Sequence, residues 1–90
     1  MKISGRKVAP PMCRVKARVI DGPIKAEKVA YIKTMSGQIA EVIVSSSQVK
    51  GNTVLVAEVG RDKGMVLVEF ARETATGDWR AWVSSKQLVG

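Results

Sequence analysis

Histidine is absent from this 90-residue chain, and cysteine occurs once, at Cys13. Without histidine, neither a Ser-His-Asp nor a Cys-His catalytic arrangement can be assembled. A single thiol with no imidazole also excludes a zinc site of the usual kind. One cysteine builds no disulfide framework, so a reducing cytoplasm is the expected setting. No apolar run approaches the roughly 18 residues that a membrane-spanning helix requires. The opening MKISGRKVAPPM is basic with no apolar stretch behind it, so a secretory signal is not expected. Aromatics are sparse: two Trp, one Tyr and one Phe. These absences point to a binding protein rather than an enzyme, with no metal, no cofactor and no membrane.

What the chain has in excess is positive charge. Fifteen Lys and Arg against eight Asp and Glu leave +7. The excess is lopsided. Residues 1–13 carry three bases (Lys2, Arg6, Lys7) and no acid, residues 14–51 carry seven bases and three acids, and residues 53–90 carry five of each. A basic field confined to one part of a chain concentrates polyanions there and speeds encounter with them. Nucleic acid, DNA or RNA, is the partner this predicts. The plainer reading is a charge that serves solubility. Pro10-Pro11 divides the opening stretch from the first strand-forming run and sets residues 1–13 apart as a flexible basic arm.

The chain is similar to itself. Val44–Gly51 reads VSSSQVKG and Val83–Gly90 reads VSSKQLVG, with five of eight positions identical. The same 39-residue offset sets Val29 against Val68, Tyr31 against Phe70 and Lys33 against Arg72. A duplicated unit of about 37 residues is the expectation, spanning 14–51 and 53–90. Both units read as strands. MVLVEF alternates, with Val66, Val68 and Phe70 on one face and Met65, Leu67 and Glu69 on the other. RVKARVI, KVAYIKT and AEVIV are the corresponding runs of the first unit, and no window of ten or more residues keeps a helical period. Ser36-Gly37 and Thr74–Asp78 have hairpin-turn composition, and the SSSQ and SSKQ segments suit single 3₁₀ turns.

Three strands, a tight hairpin, a strand ending in a one-turn helix and a short closing strand resemble a small SH3-like barrel. MVLVEF, the turn before GDW and RAWV-SSKQ-LVG carry the resemblance, with VAYIKT and AEVIV-SSSQ-VKG as the equivalent set. The fold it implies is all-β: two tandem SH3-like small-barrel units packed together. One pseudo-twofold duplicated barrel is the alternative. Fold alone does not decide function. Too few aromatics remain for the groove of proline-rich-peptide binders or for a Tudor-type cage. Plasmid-borne dihydrofolate reductases, which share this barrel type, carry Gln-Ile-Tyr where this chain has Arg80-Ala81-Trp82, so that activity is not carried over. The barrels of retroviral-type integrases and ribosome-associated proteins bind nucleic acid, in agreement with the charge.

The residues expected to contact phosphates are Lys2, Arg6, Lys7, Arg14, Lys16 and Arg18. Met65, Leu67 and Trp82 share an outer face and are expected to form an interface, with a homo-oligomer through the second unit as its plainest form. Alternation places Trp79 on the core side with Ala81 and Val83, which leaves Trp82 as the more exposed tryptophan. Tyr31 and Phe70 are expected to be paired core positions. The competing functional reading is a protein-interaction module whose basic arm meets an acidic partner.

Overall fold

A computed structural model describes residues 11–89. Among them the fold is all-β, in two antiparallel sheets. In chain order the strands are β1 (Met12–Lys16), β2 (Arg18–Asp21), β3 (Glu27–Lys33), β4 (Ile39–Ser45), β5 (Val49–Lys50), β6 (Thr53–Asp62), β7 (Met65–Glu69), β8 (Arg80–Ser84) and β9 (Leu88–Val89). One sheet runs β8-β7-β6-β1-β9 with β5 also on β6, and the other runs β2-β3-β4. Single 3₁₀ turns, Ser46–Gln48 and Ser85–Gln87, precede β5 and β9.

RVKARVI, which alternates as one strand, is divided at Ala17. Its amide donates to the Asn52 carbonyl at 2.8 Å, and the chain then leaves the first sheet for the second. β6 is longer than TVLVAEVG suggests and runs through Arg61 and Asp62. The turn after it narrows to Lys63-Gly64, both at positive φ (42° and 81°). That is the backbone a two-residue hairpin needs to match strand twist. The register of β6 against β7 shifts between Glu58 and Gly60, a bulge that bends this strand.

The closing strands pair across the two halves. β5 joins β6, with Val49 opposite Val54, and β9 joins β1, with Leu88 opposite Val15. At the centre β1 pairs directly with β6: Val15 faces Val54, Arg14 faces Leu55 and Lys16 faces Thr53. The hairpin turns reach across as well, with Met35 N donating to Trp82 O and Ala75 N to Glu41 O, both at 2.8 Å. One core results. Val15, Ile32 and Val42 from the first half are buried with Val54, Val66 and Val83 from the second. The core is mostly valine, whose branched side chain suits a pleated, buried surface.

The two 3₁₀ turns are fixed the same way. Ser45 N donates to Gln48 Oε1 while Ser47 N donates to Ser45 Oγ. Ser84, Lys86 and Gln87 repeat the arrangement. Serine at the cap with glutamine three residues later is a capping box, so these serines satisfy backbone groups rather than await an anion.

Two side chains stand elsewhere than expected. Val66, Val68 and Phe70 are buried as the alternation of MVLVEF requires, but Tyr31 is not in the core. Buried Val44 and Val83 are 39 residues apart, yet their strand partners Lys28 and Val66 are 38 apart. Phe70 therefore corresponds to Ile32, and Tyr31 moves to the outer face. A one-residue slip in a strand turns every side chain over. Trp79, expected on the core side, is 51% exposed against 37% for Trp82. It sits just before β8, where its carbonyl accepts from Phe70 N, and strand alternation does not hold it.

Candidate nucleic-acid interface

The outer face of the three-stranded sheet begins with an accident of alternation. Ala30, Ile32, Val42 and Val44 point inward, so Tyr31, Lys33, Ile39 and Glu41 point outward. Arg18, Tyr31 and Glu41 form one row across the three strands, and Lys33 faces Ile39 in the next. The Arg18 guanidinium carbon lies 5.2 Å from the centroid of the Tyr31 ring, within cation–π range.

Where β1 turns into β2, this face opens into a groove of about 580 Å³ lined by Lys16, Ala17, Arg18, Tyr31, Lys33, Ile39 and Gln87. Gln87 ties its rim together, its Nε2 donating to the Lys33 carbonyl at 3.0 Å. Three cations, one aromatic ring and an apolar floor thus converge with no acid in the lining. Ile39 also lines a second cavity of about 400 Å³ between the hairpin turns, where Met35, Arg80, Asp78 and Trp82 contribute.

Ion pairs occur in both halves and between them. Within the second half Arg61 pairs with Glu58 at 2.6 Å and Arg80 with Glu69 at 3.0 Å, and Arg72 reaches across to Glu27 of the first half at 3.4 Å. In the first half Lys28 pairs with Asp21 at 2.7 Å, a contact that lowers the Asp21 carboxyl pKa through its hydrogen bond and charge. Lys16, Arg18 and Lys33 make no ion pair among the described residues. Three of the cations that are not absorbed in local pairs therefore stand together along the groove.

Of the six expected phosphate contacts, Lys16 and Arg18 line the groove. Arg14 does not: it is half-buried, and its Nη1 reaches the Gln48 carbonyl and Thr53 Oγ1, both at 3.4 Å. Lys2, Arg6 and Lys7 lie outside the described residues. Tyr31, Lys33, Ile39 and Gln87 are the members that sequence reading passes over. The signal for the first three is present in KVAYIKT and QIAEVIV, once Ala30 and Val42 are taken as the inward positions.

Met65, Leu67 and Trp82 do share the outer side of the other sheet. Leu67 faces Trp82 in register, and Gly60 faces Leu67. A Cβ on Gly60 would stand 3.4 Å from Leu67 Cβ and 3.9 Å from Trp82 Cη2, so the indole lies across Leu67 towards the bare glycine backbone. Cys13 is half-buried. Burial, and then the Glu58 carboxylate, push its thiol pKa up, so nothing activates it as a nucleophile.

Among the described residues no helix is long and apolar enough to cross a membrane. No family model, curated protein or solved structure matches the chain.

Proposed function

We propose that this protein is a non-enzymatic nucleic-acid-binding protein, in which Lys16, Arg18 and Lys33 meet phosphates at the groove and the basic residues Lys2, Arg6 and Lys7 extend the contact. The observation that carries this reading is the convergence of three cations without ion pairs on one aromatic ring. The guanidinium groups of Arg61, Arg72 and Arg80 are neutralised by carboxylates, while the groove cations have no such partner among the described residues. Unpaired cations beside an aromatic ring suit a polyanion whose other component is a flat base.

The duplicated-unit reading belongs with this proposal. The exchange of closing strands supports one interlocked, pseudo-twofold barrel over two separately closed units. The division of labour matches the charge: the first half binds, and the second packs and presents the Met65, Leu67 and Trp82 face to a second copy.

The test is a titration of labelled oligonucleotides by fluorescence anisotropy at two salt concentrations. Binding should weaken steeply with salt, because each phosphate neutralised contributes roughly 0.7–0.9 to the slope of log K against log salt. Absence of binding at low salt would overturn the reading in favour of a protein-interaction module.

A further inference from the structure

The groove has a feature that phosphate contact alone does not use: its floor is apolar and aromatic. Ala17, Tyr31 and Ile39 line it together with the cations, and Arg18 is held over the Tyr31 ring. A duplex keeps its base faces stacked inside and offers a protein phosphates, sugars and groove edges. Such a floor gains little from those. An unpaired base offers a face, and stacks on aromatic rings and on guanidinium planes alike.

Two of the hairpin turns agree. An element that enters a duplex groove does so between two phosphate backbones, and the β3–β4 and β7–β8 turns carry no cation at their tips, while Lys25 and Lys63, on the other two, do not line the groove. Thr34–Gln38 reads TMSGQ and Thr74–Asp78 reads TATGD, the latter ending in a carboxylate. The cations instead flank a concavity, which is the arrangement of a channel that tracks one strand.

We propose that the Arg18–Tyr31 pair is a stacking platform for an unpaired base, so that the preferred ligand of the groove is single-stranded nucleic acid. This rests on the nucleic-acid reading above and narrows it to one strand form. Lys16 and Lys33 hold the flanking phosphates, Ile39 closes the side of the base pocket, and the Gln87–Lys33 hydrogen bond keeps the rim in place. Arg18 has two roles: its charge answers a phosphate, and its plane, backed by the Tyr31 ring beneath it, offers a surface for the base.

Replacing Arg18 by lysine separates these roles, since an ammonium keeps the charge and loses the plane. The probes are a labelled oligothymidylate of about 12 nucleotides, within the range one small barrel covers, and a duplex of the same length. The wild-type chain should bind the single strand more tightly. Arg18→Lys and Tyr31→Ala should each weaken single-strand binding about tenfold, leaving the salt slope and the duplex affinity within a factor of two. Arg18 is exposed, so its variant does not threaten folding, and Tyr31→Phe should retain wild-type binding. Equal or tighter binding of the duplex, or less than a twofold effect of both variants, would overturn the platform and leave the phosphate reading standing. Failure of both probes to bind at low salt would remove the functional reading itself and the platform with it.

Discussion

Val15 and Val54 face each other in the β1–β6 ladder, one pair from its Lys16–Thr53 end, and both are fully buried. Each also meets a closing strand, Leu88 for Val15 and Val49 for Val54, and each of those strands comes from the opposite half. Truncating either valine to alanine removes two methyl groups from a close-packed site and leaves a void. A loss of about 2 kcal/mol is expected for each in urea denaturation. The residues touch, so the double variant should depart from additivity. A cost below about 0.5 kcal/mol for both would show that the ladder is not the centre of the core.

The exchange of closing strands makes each half depend on the other. A fragment ending at Gly51 lacks the partner for β1 that β9 supplies, and one starting at Asn52 lacks β5. Circular dichroism of the isolated fragments should show no stable β structure, and mixing them should restore it. A fragment that folds cooperatively by itself would argue for separately closed units.

Charge reversal at the groove should act through salt dependence. Lys16→Glu with Lys33→Glu should lower the slope of log K against log salt by roughly 1.4–1.8, as two phosphate contacts are lost. The same reversal at Lys86, exposed and outside the groove, should leave the slope nearly unchanged. Equal effects at both places would mean that binding tracks net charge alone.

The two capping glutamines are not equivalent. Gln48 and Gln87 each accept from the amide of their cap serine, but only Gln87 also donates to Lys33 O, across to β3. Replacing either by alanine should destabilise the fold by around 1 kcal/mol, with Gln87→Ala the costlier by a similar amount. Only Gln87→Ala should also weaken oligonucleotide binding, because its hydrogen bond shapes the groove rim.

Cys13 should react slowly. Its thiol pKa is raised by burial and by Glu58, so the thiolate is scarcer at neutral pH than in a free thiol. The same shift sets the sign for stability. The neutral thiol is the form the fold favours, so its contribution is present below the unfolded pKa and fades as pH climbs through the raised folded value. Alkylation by iodoacetamide near pH 8 should lag behind a model thiol and catch up in denaturant. Equal rates in folded and unfolded protein would contradict the assigned burial.

The all-β class, the hairpins and the capped 3₁₀ turns are legible in the sequence because each has a local cause: alternation in MVLVEF, glycine in the turns, and Ser-x-x-Gln at the caps. Tyr31 is misplaced by sequence reading for a physical reason as well. The 39-residue offset holds for β1 with β6 and β4 with β8, but loop lengths differ between the halves and move β3 by one residue. A one-residue change is invisible in a similarity search and decisive on a pleated strand. Charge alone points to Lys16 and Arg18. It does not single out Lys33, which meets Ile39 within the β3–β4 hairpin, nor Gln87, which reaches them only when β9 crosses to β1 and carries the preceding 3₁₀ turn to the end of β3. Arg14 stands outside the groove lining for the same reason: nothing local reveals that its guanidinium will reach Thr53, 39 residues on.

The pairing of Leu88 with Val15 also has a consequence for how the chain is made. A strand synthesised early has its final neighbour only after more than seventy further residues have been added. Until Leu88 and Val89 clear the ribosome, β1 presents an open edge to its surroundings or to another nascent copy. Contacts so distant in sequence also slow folding, because loop-closure entropy is lost before pairing compensates. The feature that joins the halves therefore makes the freshly synthesised chain vulnerable to the wrong strand until its own arrives.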